Sequence, residues 1–164
     1  MELHISKRWT THIGVLTKVL LASSGDVIET GSGLFSTPLL HWLCKDMNRR
    51  LISYENRPEF YNFARQFQSR LHRIRFVANY NEININTHYG LVFIDHGDDQ
   101  PNERRGNIAL LFKDFADYIV MHDTEENTYD YKGVWSHFKY TYTWKDCLPW
   151  VSVVSNFKDL SFLC

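Results

Sequence analysis

Cysteine is scarce in this chain, proline scarcer than usual, long apolar runs are missing, and neither sign of charge prevails. Cys44, Cys147 and Cys164 are three in 164 residues, odd in number and without metal-type spacing. That excludes a disulfide scaffold and a thiolate metal site, and predicts a reduced, cytoplasmic protein. No apolar run is long enough to cross a bilayer, and Met1 to Lys7 does not read as a signal peptide. The formal net charge of −1 gives no general pull toward nucleic acid or an anionic membrane. The basic clusters Arg49-Arg50, Arg70 to Arg75 and Arg104-Arg105 are short and separated, and read as solvated faces or helix ends. There is no internal repeat, linker or low-complexity segment.

What is present is ordinary globular material: 44% apolar and 23% charged residues, in a length that suits a single domain over 1–164. Ile13, Leu16, Val19 and Leu20 recur at helical spacing, with a start at Trp9 to Thr11. Val27-Ile28 is a strand. In the following helix Thr37 suits the N-cap and Pro38 the first helical position, Leu39, Leu40, Leu43 and Met47 form the stripe, and Arg49-Arg50 complement the dipole.

Leu51 to Glu55 is the second strand, followed by a helix from Pro58 with the stripe Phe60, Phe63, Ala64, Phe67 and Leu71. A third strand, Ile74 to Ala78, alternates charged and apolar residues as an edge strand does. Asn79 to Tyr89 reads as a loop rather than a crossover helix. Leu91 to Asp95 and Tyr118 to Asp123 are buried-type strands, separated by a helix marked by Ile108, Leu111, Phe112 and Phe115. Lys139 to Trp144 and Trp150 to Ser155, joined by a turn at Pro149, predict an antiparallel hairpin. Strands alternating with helices imply an α/β fold: a mainly parallel sheet with helices on both faces and the hairpin at its C-terminal end.

Ligands in such sheets bind beyond the carboxyl ends of the strands. Four strands end in Glu29, Glu55, Asp95 and Asp123, so the four acids are expected along one rim. Between the first strand and its helix, Glu29-Thr30-Gly31-Ser32-Gly33 forms a Gly-x-Gly turn, and Ser36-Thr37 begins the helix. The glycines admit close backbone approach, and a helix start offers unpaired N–H groups to a nucleotide-like cofactor. Glu55 stands where an acid can accept ribose hydroxyls. A negative Glu29 would repel a pyrophosphate and favour a cationic cofactor.

The run Val27 to Gly33, then Glu55, then Phe93-Ile94-Asp95, resembles the class I S-adenosylmethionine-dependent methyltransferases. Ile119 to Thr124 is similar to a branch of small methyltransferase-like domains that includes the cephalosporin-hydroxylase and catechol O-methyltransferase types. The resemblance implies a Rossmann-like fold of seven strands and S-adenosylmethionine as cofactor. It places Glu29, Gly31 and Gly33 around the methionine part, with Thr30, Ser32, Ser36 and Thr37 also against the cofactor. Glu55 would take the ribose, and Asn56 and the loop near Asn79-Tyr80 would lie by the adenine, with Asp95 also against the cofactor. The pattern departs at its third glycine, which is Phe35 here.

Asp95, His122 and Asp123, with His96 nearby, form the expected reaction centre. Asp95 and Asp123 could hold Mg2+ or another divalent metal, as the catechol-type resemblance implies; without metal, His122 or His96 could be a general base. The expected activity is methyl transfer to an oxygen or nitrogen of a small-molecule acceptor. The alternatives are a non-catalytic cofactor-binding member of the same fold, a dinucleotide-dependent oxidoreductase, and a metal-dependent hydroxylase or hydrolase on the same rim. Either the acceptor site is open or the partner subunit of a homo-oligomer completes it.

Overall fold

The computed structural model describes residues 6–97 and 104–164. Residues 1–5, most of the stretch read above for a leader, lie outside the described residues. Among the described residues seven strands form one sheet: β1 (Val27–Thr30), β2 (Leu51–Glu55), β3 (His72–Phe76), β4 (Tyr89–Ile94), β5 (Ala116–His122), β6 (Tyr140–Trp144) and β7 (Val151–Ser155). Their order is β3-β2-β1-β4-β5-β7-β6, with β1 to β5 parallel and β7 antiparallel to both β5 and β6. The chain reverses direction across the sheet between β3 and β4, which opens a crevice at the carboxyl ends of β1 and β4.

The central strands are buried on both faces, so β4 reads as a near-continuous apolar run, and β1 is buried along its whole length even at Glu29 and Thr30. Helices α1 (Ile13–Ala22) and α2 (Ser36–Asp46) cover one face through Leu16, Val19, Leu20, Leu40 and Cys44 against Val27, Leu91, Phe93 and Val120. Helix α4 (Arg105–Phe112) covers the other through Ile108, Ala109 and Phe112 against Ile28, Val92, Ile119 and Met121. Helix α3 (Pro58–Ala64) packs on β2 and β3. Among the described residues, no helix is long and apolar enough to cross a membrane.

Several boundaries differ from the sequence reading, each for a local reason. Helix α2 starts at Ser36 with Phe35 at the cap position, so Thr37 and Pro38 lie inside it. Thr37 is not the cap residue: from inside the helix its hydroxyl donates to Glu29 and accepts from the Gly33 N–H. Arg49 is not a solvated cation at a helix end. It is buried, and its guanidinium donates to the carbonyls of Gly25 (2.6 Å) and Leu20 (2.9 Å), tying the end of α1 to the approach to β1. Strand β3 begins two residues earlier than expected, because the buried His72 and Ile74 face α2 while Arg73 and Arg75 face the other way. On α4 the buried face runs through Ile108, Ala109 and Phe112, which leaves Leu111 and the following Phe115 partly exposed.

The connection between β3 and β4 carries one 3-10 turn, Tyr80–Glu82, and no crossover helix. The face of β2 and β3 opposite α2 and α3 is therefore not covered by helix.

Candidate functional site

A cavity of about 690 Å³ opens at the carboxyl ends of β1, β2, β4 and β5. The turn after β1 forms one wall with Gly31, Ser32, Gly33 and Ser36, and Glu55 of β2 closes it on that side. Asp95, His96, His122 and Asp123 form the opposite wall, roofed by Trp9 and His12 from the segment before α1. At Gly31 φ is +85°, and a Cβ there would collide with the backbone of His96, so only glycine lets the turn pass against the end of β4.

The turn's backbone donors are taken up internally. Gly31 N–H donates to Tyr54 O (2.9 Å), Ser32 N–H to Glu55 Oε2 (2.6 Å), and Gly33 N–H to Thr37 Oγ1 (3.0 Å). Three successive N–H groups thus have partners in the protein. Residues 31–33 therefore form no anion nest.

Glu29 does not face the cavity, which corrects the picture of four acids on one rim. Its carboxylate lies fully buried beneath the turn, accepting from Ser36 Oγ (2.7 Å), Thr37 Oγ1 (3.0 Å) and Ser53 Oγ. Burial pushes its pKa up to about 7 against the pull of those three hydroxyls. Ser53 Oγ also meets His72 Nε2 at 2.8 Å, and His72 Nδ1 meets His41 Nδ1 at 3.1 Å. One file of side chains therefore leads from the floor of the turn to α2. Burial, helped by His41, lowers the His72 pKa to about 3, so the ring is neutral.

Glu55 does line the cavity. Its Oε1 accepts from the N–H groups of Asn56 (2.9 Å) and Arg57 (2.8 Å), and its Oε2 from Ser32. A carboxylate oxygen has room for about two hydrogen bonds, so one position on Oε2 remains for a ligand hydroxyl. Thr30 and Asn56 lie behind this wall. Thr30 Oγ1 contacts His96 Nδ1 (2.9 Å), and Asn56 Oδ1 accepts from Tyr80 OH (3.4 Å).

At the far wall the acids are held by cations. Arg105 Nη1 lies 3.0 Å from Asp95 Oδ1 and 2.8 Å from Asp123 Oδ2, while Arg105 Nε donates to His96 O at 2.6 Å. The guanidinium stacks on Tyr129 with its carbon 3.9 Å from the ring centroid. His122 Nδ1 contacts Asp95 Oδ1 at 3.1 Å and its Nε2 contacts Thr11 Oγ1 at 2.8 Å. Thr11 donates its single hydroxyl proton to Pro149 O (2.9 Å), so it accepts from His122 Nε2–H. Both ring nitrogens then donate, and His122 is an imidazolium.

The electrostatic surroundings agree with that count. Burial favours the neutral imidazole, but the Asp95 charge and hydrogen bond, with Asp123, outweigh it and raise the His122 pKa. Burial works in the same way against the Asp95 carboxylate, but His122 and Arg105 hold it well below its ordinary range. Burial raises Asp123 despite the same cations. Two carboxylates and two cations balance.

This arrangement does not fit a divalent metal between Asp95 and Asp123, because the Arg105 guanidinium already bridges them. His12, Asp95 and His122 bring one ligand atom each within 4.8 Å of one another. An imidazolium with both nitrogens donating has no lone pair for a metal, so this grouping is no better a ligand set. Nor is His122 in a state to act as a base.

Arg105, the keystone of this wall, is enclosed, unlike the solvated cation that its cluster with Arg104 predicts. A sequence signal for it exists: an arginine opening a helix opposes the macrodipole and needs anionic partners close by. The ring of His12 is buried with neither nitrogen hydrogen-bonded among the described residues, and burial lowers its pKa to about 4.

The architecture has counterparts among solved structures. A methyltransferase from Pyrococcus furiosus superposes with a TM-score of 0.61 at 13% identity, covering 96% of this chain and 89% of that one. Precorrin-6y C5,15-methyltransferase from Geobacter metallireducens gives 0.63 at 14% identity, with 93% of each chain covered. The fold is that of the class I methyltransferases. The N-terminal domain of human METTL16, solved in complex with SAH, gives 0.60 at 12% identity, covering 96% of this chain and 73% of that one. No protein-family model and no curated protein matches the chain. The class I methyltransferase fold is thus carried here by a sequence with little identity to these structures.

Proposed function

We propose that this chain is an S-adenosylmethionine-dependent methyltransferase acting on an oxygen or nitrogen of a small acceptor. The fold supports that reading, and one observation favours this cofactor over a dinucleotide. Gly31, Ser32 and Gly33 have all given their N–H groups to partners inside the protein, so the turn offers a pyrophosphate little to bind. It offers instead a close-packed, partly acidic wall, suited to an uncharged ribose and a cationic centre.

The residues fit such a ligand. Gly33 and Ser36 would lie against its amino-acid part, with Glu29 and Thr37 holding the turn from beneath. Glu55 Oε2 would accept one ribose hydroxyl. A cavity of about 690 Å³ has room for the cofactor and a small acceptor together. When bound, the cofactor supplies an electrophilic methyl group that passes in line to the acceptor's lone pair.

Asp123 is the group best placed to handle the acceptor. It lines the cavity, only its Oδ2 is tied to Arg105, and φ of +55° fixes it in the left-handed region. Its carboxylate, raised by burial, can take the acceptor's proton at Oδ1 as the methyl group arrives. Asp95, His122 and Arg105 position it. Holding the two reactants aligned contributes the larger part of the rate.

The test is thermal stabilisation by S-adenosylmethionine and S-adenosylhomocysteine, followed by turnover with a panel of small acceptors. No stabilisation at millimolar concentration would sink the proposal. Stabilisation without turnover of any acceptor would favour a non-catalytic member. Asp123→Asn tolerates the left-handed backbone and should lower turnover about a hundredfold while leaving S-adenosylhomocysteine affinity unchanged.

A further inference from the structure

We propose that the uncovered face of β2 and β3 is a second binding site, separate from the cavity above, for a ligand carrying phosphate groups. The missing crossover helix leaves a cleft of about 360 Å³ there, walled by the loop that replaces it. In the parallel register Arg73 pairs with Ile52 and Arg75 with Tyr54, so both arginines rise from the same face as Ile52 and Tyr54. Two residues apart on one strand, their Cα atoms are about 7 Å apart, a spacing suited to two neighbouring phosphate groups.

Both guanidiniums are exposed, and neither makes an ion pair among the described residues. The cleft is also lined by Tyr54 and Tyr89, which are nearly buried. Neither phenol hydroxyl has a hydrogen-bond partner among the described residues, so both can donate to an anion. Arg75 lies close enough to Tyr54 to oppose the rise that burial causes in its pKa. Asn84 of the loop adds an amide donor to the wall, and Glu82 is the one acid of the lining.

Charged side chains on an edge strand also deter pairing with another sheet edge. That role requires neither a concave site nor two partnerless phenols beside the arginines. A fork of planar donors over tyrosine hydroxyls, with little opposing charge, is the chemistry that takes phosphate oxygens.

Calorimetric titration with inorganic pyrophosphate and with a short single-stranded oligonucleotide separates a free from a polymeric source of phosphate. The wild-type chain should bind at least one of them, with affinity falling as salt rises. Arg73→Glu with Arg75→Glu keeps the edge charged, so the sheet is still protected, and should weaken binding more than about tenfold. Tyr54→Phe, which preserves packing, should weaken it less. Binding of S-adenosylhomocysteine at the main cavity is expected to be the same in all three proteins. That separates failure here from failure of the methyltransferase reading. No binding of either probe to the wild type, or equal binding to the double variant, would overturn the proposal.

Discussion

The rim of the sheet handles its acids in two ways. On the β1 and β2 side, Glu29 and Glu55 are held by neutral donors: three hydroxyls for one, three backbone N–H groups for the other. On the β4 and β5 side, Asp95 and Asp123 are held by Arg105 and His122. Neutral donors only partly offset desolvation, so Glu29 and Glu55 are both raised, whereas the cations drive Asp95 down and only temper the rise of Asp123. The first half shapes a turn without concentrating charge beside it. The second fixes charged groups rigidly beside Asp123 Oδ1. A strand-end acid in the sequence therefore says where a side chain sits and leaves its charge to the neighbours.

The largest effect is expected from removing the cation between the aspartates. Arg105→Met strands two buried carboxylates and should cost roughly 3–5 kcal/mol in urea unfolding. A loss below about 1 kcal/mol would show that the two halves of the rim are not electrostatically different. Glu55→Ala removes the common acceptor of the Ser32, Asn56 and Arg57 N–H groups. It should weaken S-adenosylhomocysteine binding about tenfold or more by calorimetry, with a smaller loss of stability.

The smallest effect is the most diagnostic, because Glu29 and Asp95 shift in opposite directions. Glu29 has a folded pKa of about 7 against an ordinary 4.5, so folding favours its protonated form. Its contribution is complete below 4.5 and is lost as pH rises through about 7. Asp95 behaves oppositely: its contribution is present above its ordinary 3.8 and is lost as pH falls below that value. Denaturation curves across this range should show Glu29→Gln flattening the decline above 4.5 while leaving the acid limb intact. If the wild-type profile shows no decline there, burial does not govern Glu29.

Much of the fold was legible because the buried strands announce themselves. Val27-Ile28, Leu51 to Glu55, Leu91 to Asp95 and Tyr118 to Asp123 combine apolar runs with strand-end acids, and the 79–89 loop is too polar to be a helix. Partner choice was not legible. Whether Glu29 faces a ligand or Ser36, Thr37 and Ser53 depends on side-chain direction across three elements. Arg105 stands beside Arg104 in the sequence and shares nothing of its surroundings: Arg104 pairs with Asp130 at 3.6 Å near the surface, and Arg105 is enclosed. Arg49 misled for the same reason. Charge pattern alone cannot tell a solvated cation from one that carbonyls and carboxylates have drawn inside.

The file from Glu29 through Ser53 and His72 to His41 has a polarity. With Glu29 ionised, Ser53 donates to it, His72 Nε2–H donates to Ser53, and His41 Nδ1–H donates to His72. A proton arriving on Glu29 Oε2 turns Ser53 around, moves the His72 proton to Nδ1 and makes His41 an acceptor. No heavy atom has to move. The charge under the glycine turn is thereby written into the tautomers of two histidines on the far side of β2, where ring nitrogen chemical shifts can read it.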